Sequence, residues 1–553
     1  MVMTGAEMVV RSLEDQGISC VFGIPGGTVI PLYDALYDAP FMHVLMRHEQ
    51  AACHAADGYA RTVGKAGVCI VTSGPGATNA ITGLSNAMLD SVPLVLIAGH
   101  VSTSMIGTDA FQEADLYGST FSFVKHSFFV TEVEQIPDYM KRAFALARSG
   151  RPGPVLITLP VDVQKQEGKF SYHEQMPFGD PVERLFPDPA SIRSALDLMG
   201  GSSKPVILAG GGVTGSGAGS ELVKFVENNR IPVATTLMGK GSIPESSDLS
   251  LGMAGMHGTP QANLALSHCD LLIAVGTRFS DRTTACPGKF APSARVIHID
   301  IDESEFDKIR KADVQLPGDA AAVLRELSKG GAAVTSSDLW LKRINEWKAQ
   351  YPLETEGEDF SAPLIIRSLR EKAGSDCLVT TEVGQNQMWS ALHWRADEPG
   401  KFLTSGGLGT MGFGLPAAIG ASFALGRKPV VCIGGDGSLL MNIQELETCS
   451  RYDLPVKIFL LNNGTLGMIR QWQEMFAREI YSHTITGNKC DFVRIAEACG
   501  LMGLRIDSAD ELEHSLETVF RHDGPVLVDC RIQLNEKVLP MVPPGCGLDE
   551  FLL

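Results

Sequence analysis

Three things are scarce in this 553-residue chain, and each scarcity removes a class of function. Basic charge is the first: 46 Lys and Arg stand against 64 Asp and Glu, a net charge of −18 at pH 7. Nucleic acid or an anionic membrane surface calls for a basic face, so neither is a main partner, and plain acidic solubility remains. Paired cysteines are the second: twelve cysteines run from Cys20 to Cys546 without a single CxxC. That scatter argues against a disulfide framework and suits reduced, mostly buried thiols in a cytoplasm-like compartment. Long apolar runs are the third, since none approaches the 18 residues of a membrane span. The opening "MVMTGAEMVVRSLEDQG" also lacks a basic stretch, an apolar core and a small-residue cleavage site. It is expected to be an amphipathic helix capped by Thr4 or Gly5, not a signal peptide.

What is present is an ordinary globular composition, 44 % hydrophobic and 20 % charged, spread over a chain too long for one core. Short β-branched runs alternate with helix-like stretches in three blocks, the signature of an α/β fold with doubly wound parallel sheets. The first block spans residues 1–165 and contains "CVFGIPGG", "AGVCIVTSGPGATN", "PLVLIAGH" and "PVLITLPVDV". A polar stretch, "QEGKFSYHEQMPFGDPVERLFPDP", reads as a linker. The second block, 188–330, contains "KPVILAGGGV", "DLLIAVGTRFSD" and "ARVIHIDID", and a charged link follows near "SKGGAAVTSSD". The third, 355–535, contains "CLVTTEVGQ", "PVVCIGGDG", "VKIFLLNN" and "PVLVDCRI", leaving 536–553 as a C-terminal tail.

The third block carries the sharpest pattern. "PVVCIGGDG" reads as a strand, "LLMNIQELETCSRYD" as a helix and "VKIFLLNN" as the next strand, one βαβ unit. Asp436 and Asn463, 27 residues apart, then emerge at the carboxyl edge of one sheet, where ligands bind in doubly wound folds. A carboxylate and a carboxamide oxygen are hard ligands suited to Mg2+ completed by water and phosphate oxygens. Gly435 and Gly437 let backbone approach a diphosphate, and the helix that follows points its N-terminus there. Asp-Gly and Asn-Gly are common turn dipeptides, and either alone would read as a turn. Their pairing across one unit favours a site.

GDG followed by NN resembles the signature of thiamin-diphosphate enzymes. Further blocks, "RHEQAACHAADGYAR", "TSGPGATN", "GTDAFQEAD", "SGRPGPVLI", "GMHG", "SGGLGTMGFGLPAAIGA" and "EKVLPMVPPG", extend the resemblance over nearly the whole chain to the catalytic subunits of acetohydroxyacid (acetolactate) synthases. The resemblance implies a pyrimidine-binding first domain, a central Rossmann-like domain and a diphosphate-binding third domain. It makes Glu49 the carboxylate that activates the cofactor from a partner subunit, with a homodimer the minimum active unit; a tetramer and a small regulatory subunit stay open. Glu49 should lie on a largely buried helix. A metalloprotease HExxH reading of "HEQAACH" fails, because His48 and His54 are six residues apart and about 120° around a helix.

By the same resemblance Asp436, Asn463 and the Thr465 carbonyl hold Mg2+. Gly384, Gln385, Asn386, Gly435, Gly437, Ser438, Leu466, Gly467 and Met468 contact the cofactor. The Gly409 carbonyl holds its amino group, and Met411 wedges it into a bent shape. FAD, kept without redox turnover, is implied at Arg151, Gly211, Met238, Gly276, Arg278, Asp300 and Asp319. A dehydrogenase would need an acid about 20 residues beyond the glycines; "IPVATTLMG" supplies none. The substrates implied are pyruvate and a second 2-ketoacid, pyruvate or 2-ketobutyrate. Arg278 grips the acceptor carboxylate with its planar fork. Gly27, Phe111, Gln112, His257, Met468 and Trp472 complete the pocket, with Trp472 favouring the larger acceptor.

The chain departs from the family pattern at Val161, commonly Lys, at His100, commonly Gln, at Ser280, commonly an acid, and at Asn386, more usually His. Rival readings are a thiamin- and flavin-dependent pyruvate oxidase, a pyruvate decarboxylase, a carboligase with another acceptor, and a non-catalytic homologue. The last is expected to have lost Glu49, Asp436 or Asn463, and all three stand.

Overall fold

A computed structural model of the chain describes residues 2–172, 186–330, 336–353, 360–487 and 489–553. Most of the stretch read as a linker therefore lies outside the described residues. Its beginning, Glu167–Lys169, pairs antiparallel with Val2–Thr4. Of the two candidates it is Thr4 that caps the helix Gly5–Asp15, through a reciprocal capping box to Glu7.

Three six-stranded sheets follow, each parallel throughout. Their central strands, such as Gly67–Val71, Leu271–Val275 and Val456–Asn462, are buried at every residue. Helices cover both faces, which is why these strands read as unbroken apolar runs and not as alternation. The first sheet has the spatial order Met42–Leu45, Cys20–Gly23, Gly67–Val71, Leu94–His100, Pro154–Pro160, His126–Phe129. The third has Phe402–Leu403, Val379–Thr381, Val430–Gly435, Val456–Asn462, Val526–Arg531, Met502–Ile506. Counted along each domain, both are 2-1-3-4-6-5. The middle sheet differs: Ser250–Met253, Val233–Thr235, Pro205–Ala209, Leu271–Val275, Arg295–Asp300, Val314–Pro317 is 3-2-1-4-5-6, the Rossmann order.

The first and third domains share one apolar core, built around the helices Glu49–Val63 and Gly414–Ala424. Their backbones touch. A Cβ on Gly420 would lie 1.8 Å from the Ala55 carbonyl oxygen, and one on Gly58 2.3 Å from that of Ala417. Beyond the charged link, whose residues 331–335 are not described, the helix Asp338–Gln350 returns to the middle domain and buries Trp340, Ile344 and Trp347 in its core. The tail is a strap. Val538 joins the third-domain core, whereas Val542 and Leu548 join the middle one, and the Val542 amide donates to the Met256 carbonyl at 2.7 Å. Among the described residues no helix is long and apolar enough to cross a membrane.

Candidate active site

Strands Val430–Gly435 and Val456–Asn462 are direct neighbours in register, so Asp436 and Asn463 leave the same carboxyl edge. Both are buried. Burial pushes the Asp436 carboxyl up to about 6, opposed by hydrogen bonds from its own and the Gly437 amides and from the Thr486 hydroxyl at 3.3 Å. So buried a carboxylate costs free energy to ionise, and a cation would offset that cost. Asn463 donates through Nδ2 to Gln385 Oε1 at 3.0 Å, leaving Oδ1, 3.3 Å from the Thr465 amide, as its acceptor end. Among the described residues no three His, Cys, Asp or Glu cluster as metal ligands. One carboxylate with neutral oxygens is a donor set for a hard cation that keeps its water and phosphate ligands.

Side chains close in tightly on the two turn glycines, so that a Cβ at either would crowd them. A Cβ on Gly437 would meet Leu466 Cδ2 at 2.7 Å and Met411 Cε at 3.8 Å; one on Gly435 would meet Asn386 Nδ2 at 3.0 Å. Asn386 is buried and its Oδ1 has no partner, so its amide is uncommitted at this edge. Gly384 beside it has φ +137°, and Gly409, exposed in the loop that carries Met411, has φ +73°. Gln385 differs from expectation. Its Oε1 accepts from Asn463 while Nε2 donates to Gln471 Oε1 at 3.0 Å and the Glu536 carbonyl at 2.9 Å, so its side chain positions Asn463 and is spent. Gly467 sits against the same amide. The helix expected after GDG is also broken: Asp436–Leu439 and Glu445–Arg451 flank a tight turn, Leu440–Asn442. Buried Asn442 donates to the Gly412 carbonyl at 2.7 Å there, so only a single turn faces the edge.

Glu49 opens the helix Glu49–Val63, whose residues Ala51–Ala60 are buried as expected, but is itself only half-buried at the first turn. Asn79 donates to its Oε2 at 3.0 Å, while Oε1 lies beside Gly76, where an added Cβ would come within 3.2 Å. Gln112 has φ +61° and packs against Gly74, and Gly27 is exposed at the start of the turn Gly27–Val29. Phe111 is 89 % exposed, pointing out of this edge and not into a closed pocket.

The helix Gly467–Phe476 begins four residues past Asn463, with Met468 against the third-domain core. Trp472 is half-buried, its Nε1 has no partner, and a guanidinium lies 5.8 Å over its ring. That guanidinium belongs to Arg282, whose side chain is 62 % exposed. It also lies near buried His257, whose Nδ1 has no partner and whose imidazole burial pushes down to about 4. Arg278 faces another way, half-buried in the field of Arg151, Asp90, Glu305 and Asp300, with burial lowering its pKa. Phe279 between the two arginines has φ +52°, which turns the chain there.

The middle-domain candidates gather at the crevice where its strand order reverses. Gly211 follows Pro205–Ala209 and Gly276 follows Leu271–Val275, with Gly276 at φ +56° and a Gly210 Cβ only 2.1 Å from the Gly276 oxygen. Met238 packs on Gly211, and Asp300, pushed up to about 6 by burial, ends its strand. Two others are committed elsewhere. Arg151 bridges the domain seam to Glu305 at 2.9 Å and Asp302 at 3.2 Å and donates to Ser91 of its own domain at 2.8 Å, and Asp319 caps the helix Ala320–Lys329.

Two further residues lie outside the set expected from the sequence. Arg282 is one. Glu382 is the other: fully buried, with burial raising its pKa, it accepts from Ser438 Oγ at 2.6 Å and from the Gly412 and Leu415 amides at 2.8 and 3.1 Å. It ties the GDG turn to the loop carrying Met411. A lone acid at the head of "EVGQ" was the signal available.

The chain matches three family models along its length. They are described as thiamine pyrophosphate enzyme N-terminal TPP binding domain (residues 3–119), central domain (192–327) and C-terminal TPP binding domain (382–530). It is 47 % identical to the acetolactate synthase isozyme 2 large subunit of Escherichia coli (strain K12), over 100 % of this chain and 99 % of that protein. It is 46 % identical to a probable acetolactate synthase large subunit of Methanocaldococcus jannaschii, over 100 % and 95 % of the two chains. To the acetolactate synthase of Mycobacterium bovis it is 44 % identical, over 99 % and 91 %. With full-length identity of this order and matching models for all three domains, the chain belongs to the acetolactate synthase large-subunit family of thiamine pyrophosphate enzymes.

Proposed function

We propose that this chain decarboxylates pyruvate and joins the remaining two-carbon unit to a second 2-ketoacid, as a step of branched-chain amino-acid biosynthesis in the cytoplasm. One pyruvate loses its C1–C2 bond and releases CO2; its C2 forms a bond to C2 of the acceptor, whose carbonyl oxygen takes up a proton. Pyruvate as acceptor gives 2-acetolactate, and 2-ketobutyrate gives 2-aceto-2-hydroxybutyrate. The observation that carries the reading is the buried Asp436–Asn463 pair at one sheet edge, in a chain of this family.

Asp436, Asn463 and the Thr465 carbonyl would hold Mg2+, and the side-chain-free backbone at Gly435 and Gly437 would take the diphosphate of thiamin diphosphate. When bound, that cofactor supplies the electron sink for the pair left by departing CO2. Asn79 fixes Glu49 Oε2, leaving Oε1 to share a proton with a ring nitrogen. Arg282, stacked on Trp472, is the cation we assign to the acceptor carboxylate, in place of Arg278; its fork suits two carboxylate oxygens. Neutral His257 and Trp472 would shape the apolar end. Arg278, Gly211, Gly276, Met238 and Asp300 then line a crevice that suits FAD.

We infer further that Glu49 serves a cofactor held by a second copy of the chain. Its half-buried position and the exposed Phe111, Tyr117 and Phe121 of the same domain support a covering partner. The test of function is product identification after incubation with pyruvate, thiamin diphosphate and Mg2+, with and without 2-ketobutyrate. Acetolactate, joined by acetohydroxybutyrate when 2-ketobutyrate is present, is expected; acetaldehyde alone, or flavin reduction by pyruvate, would replace the reading.

A further inference from the structure

The loop Thr404–Gly412 joins the strand Phe402–Leu403 to the helix Gly414–Ala424 and contains Gly406, Gly407, Gly409 and Gly412. It carries the two groups read above as cofactor contacts, the Gly409 carbonyl and Met411. So glycine-rich a loop has much conformational freedom to lose, and it has no ladder of its own to hold it. Something outside it must fix its shape.

The first domain supplies that restraint. Asp90, at the end of the helix Ile81–Asp90, accepts from the Gly407 amide at 2.7 Å through Oδ1 and from the Gly406 amide at 3.2 Å through Oδ2. Arg61 donates to Asp90 Oδ2 at 2.9 Å, to Asp57 Oδ1 at 2.6 Å and to the Thr404 carbonyl at 3.0 Å. Asn86 donates to Asp57 Oδ2 at 3.2 Å, and its Oδ1 accepts from Ser405 Oγ at 2.5 Å and Thr410 Oγ1 at 3.2 Å. Ser405 Oγ in turn accepts from the Thr410 amide at 2.8 Å. The Asp57, Asp90 and Asn86 side chains are fully buried.

We propose that Asp57, Arg61, Asn86 and Asp90 are positioning residues for the cofactor, holding Ser405–Met411 in its binding shape from across the domain boundary. The inference rests on the proposed function, which makes this loop a cofactor contact. General adhesion between the domains is a weaker account of the network. Adhesion is already supplied by the apolar helix pair Glu49–Val63 and Gly414–Ala424, whereas these bonds end on the loop's own amides, carbonyl and hydroxyls. A satisfied buried network of this kind rigidifies what it holds. Gly407 shows how closely: a Cβ there would lie 2.8 Å from Leu89 Cβ and 2.9 Å from Asp90 Oδ1. From the other side, Glu382 holds the Gly412 amide, so the loop is gripped at both ends.

The test compares Asp90→Asn and Ser405→Ala with the unaltered full-length protein by three measurements. Hydrogen–deuterium exchange without added cofactor reads the loop directly, and the Gly406, Gly407 and Thr410 amides should exchange about tenfold faster. Quenching of tryptophan fluorescence by thiamin diphosphate with Mg2+ should give a Kd raised by about tenfold. The melting temperature of cofactor-free Ser405→Ala should fall by only a few degrees, and this variant carries the test if Asp90→Asn does not fold. Unchanged exchange would overturn the network as the loop's restraint. Faster exchange with an unchanged Kd would overturn its role in cofactor positioning, leaving a structural one. Failure of the unaltered protein to bind thiamin diphosphate would instead remove the functional reading on which the inference rests.

Discussion

The carboxyl edges of the first and third sheets have the same strand order but different finishes. In the third domain Asp436, Asn463, Gln385, Ser438 and Glu382 are all buried and bonded to one another's segments, so that edge is built from within the chain. In the first domain Glu49 is half-buried, Asn79 and Gly27 are exposed, and Phe111 stands almost wholly in solvent. Two copies of one architecture thus end in a finished edge and an open one. The shared order fits an ancestral duplication, whereas the Rossmann-ordered middle domain departs from it. A finished edge can hold a ligand alone; an open one needs a second surface against it.

Mixing two inactive variants is the sharpest way to break this contrast. If Glu49 acts on a partner's cofactor, Glu49→Gln and Asp436→Ala, refolded together, regain activity, because hybrid dimers contain one intact site. Activity confined to a single chain would leave the mixture dead. Separately, Glu49→Gln should lower turnover by about 10²–10⁴-fold while thiamin diphosphate binding changes little, as kcat and a cofactor titration would record. At the finished edge, Asp436→Ala should raise the Mg2+ concentration needed for half-maximal activity by more than about a hundredfold. The pocket between the edges gives smaller effects. Arg282→Gln should raise the 2-ketoacid KM by roughly 10–100-fold, whereas Arg278→Gln should chiefly change flavin retention, read by absorbance after gel filtration. Equal ketoacid defects in both would return Arg278 to the acceptor. Trp472→Leu should cost about tenfold in preference for 2-ketobutyrate over pyruvate and leave acetolactate formation standing, as a competition assay would show.

What could be read from the sequence was what neighbours along the chain decide. The buried strands announce themselves as apolar runs, the Thr4–Glu7 box is a four-residue pattern, and Asp436 and Asn463 follow from strand ends in one βαβ unit. Long-range contacts decided the rest. Arg278 and Arg282 are four residues apart, and only the turn at Phe279 and the approach of Trp472, 190 residues on, show which one lies over that ring. Glu382 lay within a recognised block, yet its role comes from Ser438 and Gly412, brought to it by the fold. The break at Leu440–Asn442 is likewise set by a bond to Gly412. Trp340 and Trp347 sit on a helix beyond a charged link, and nothing local assigns that helix to the middle domain.

The strap at the C-terminus also bears on how the protein is made. Val542 and Leu548 complete an apolar core whose other strongly buried members lie between Val206 and Trp347. The ribosome therefore delivers the last parts of that core roughly 200 residues after Trp347, when the whole third domain has already been synthesised. Until then the middle domain waits with a gap in its side, exposed to chaperones and to other nascent chains. Cutting the chain before Val542 would strike its centre as much as its end.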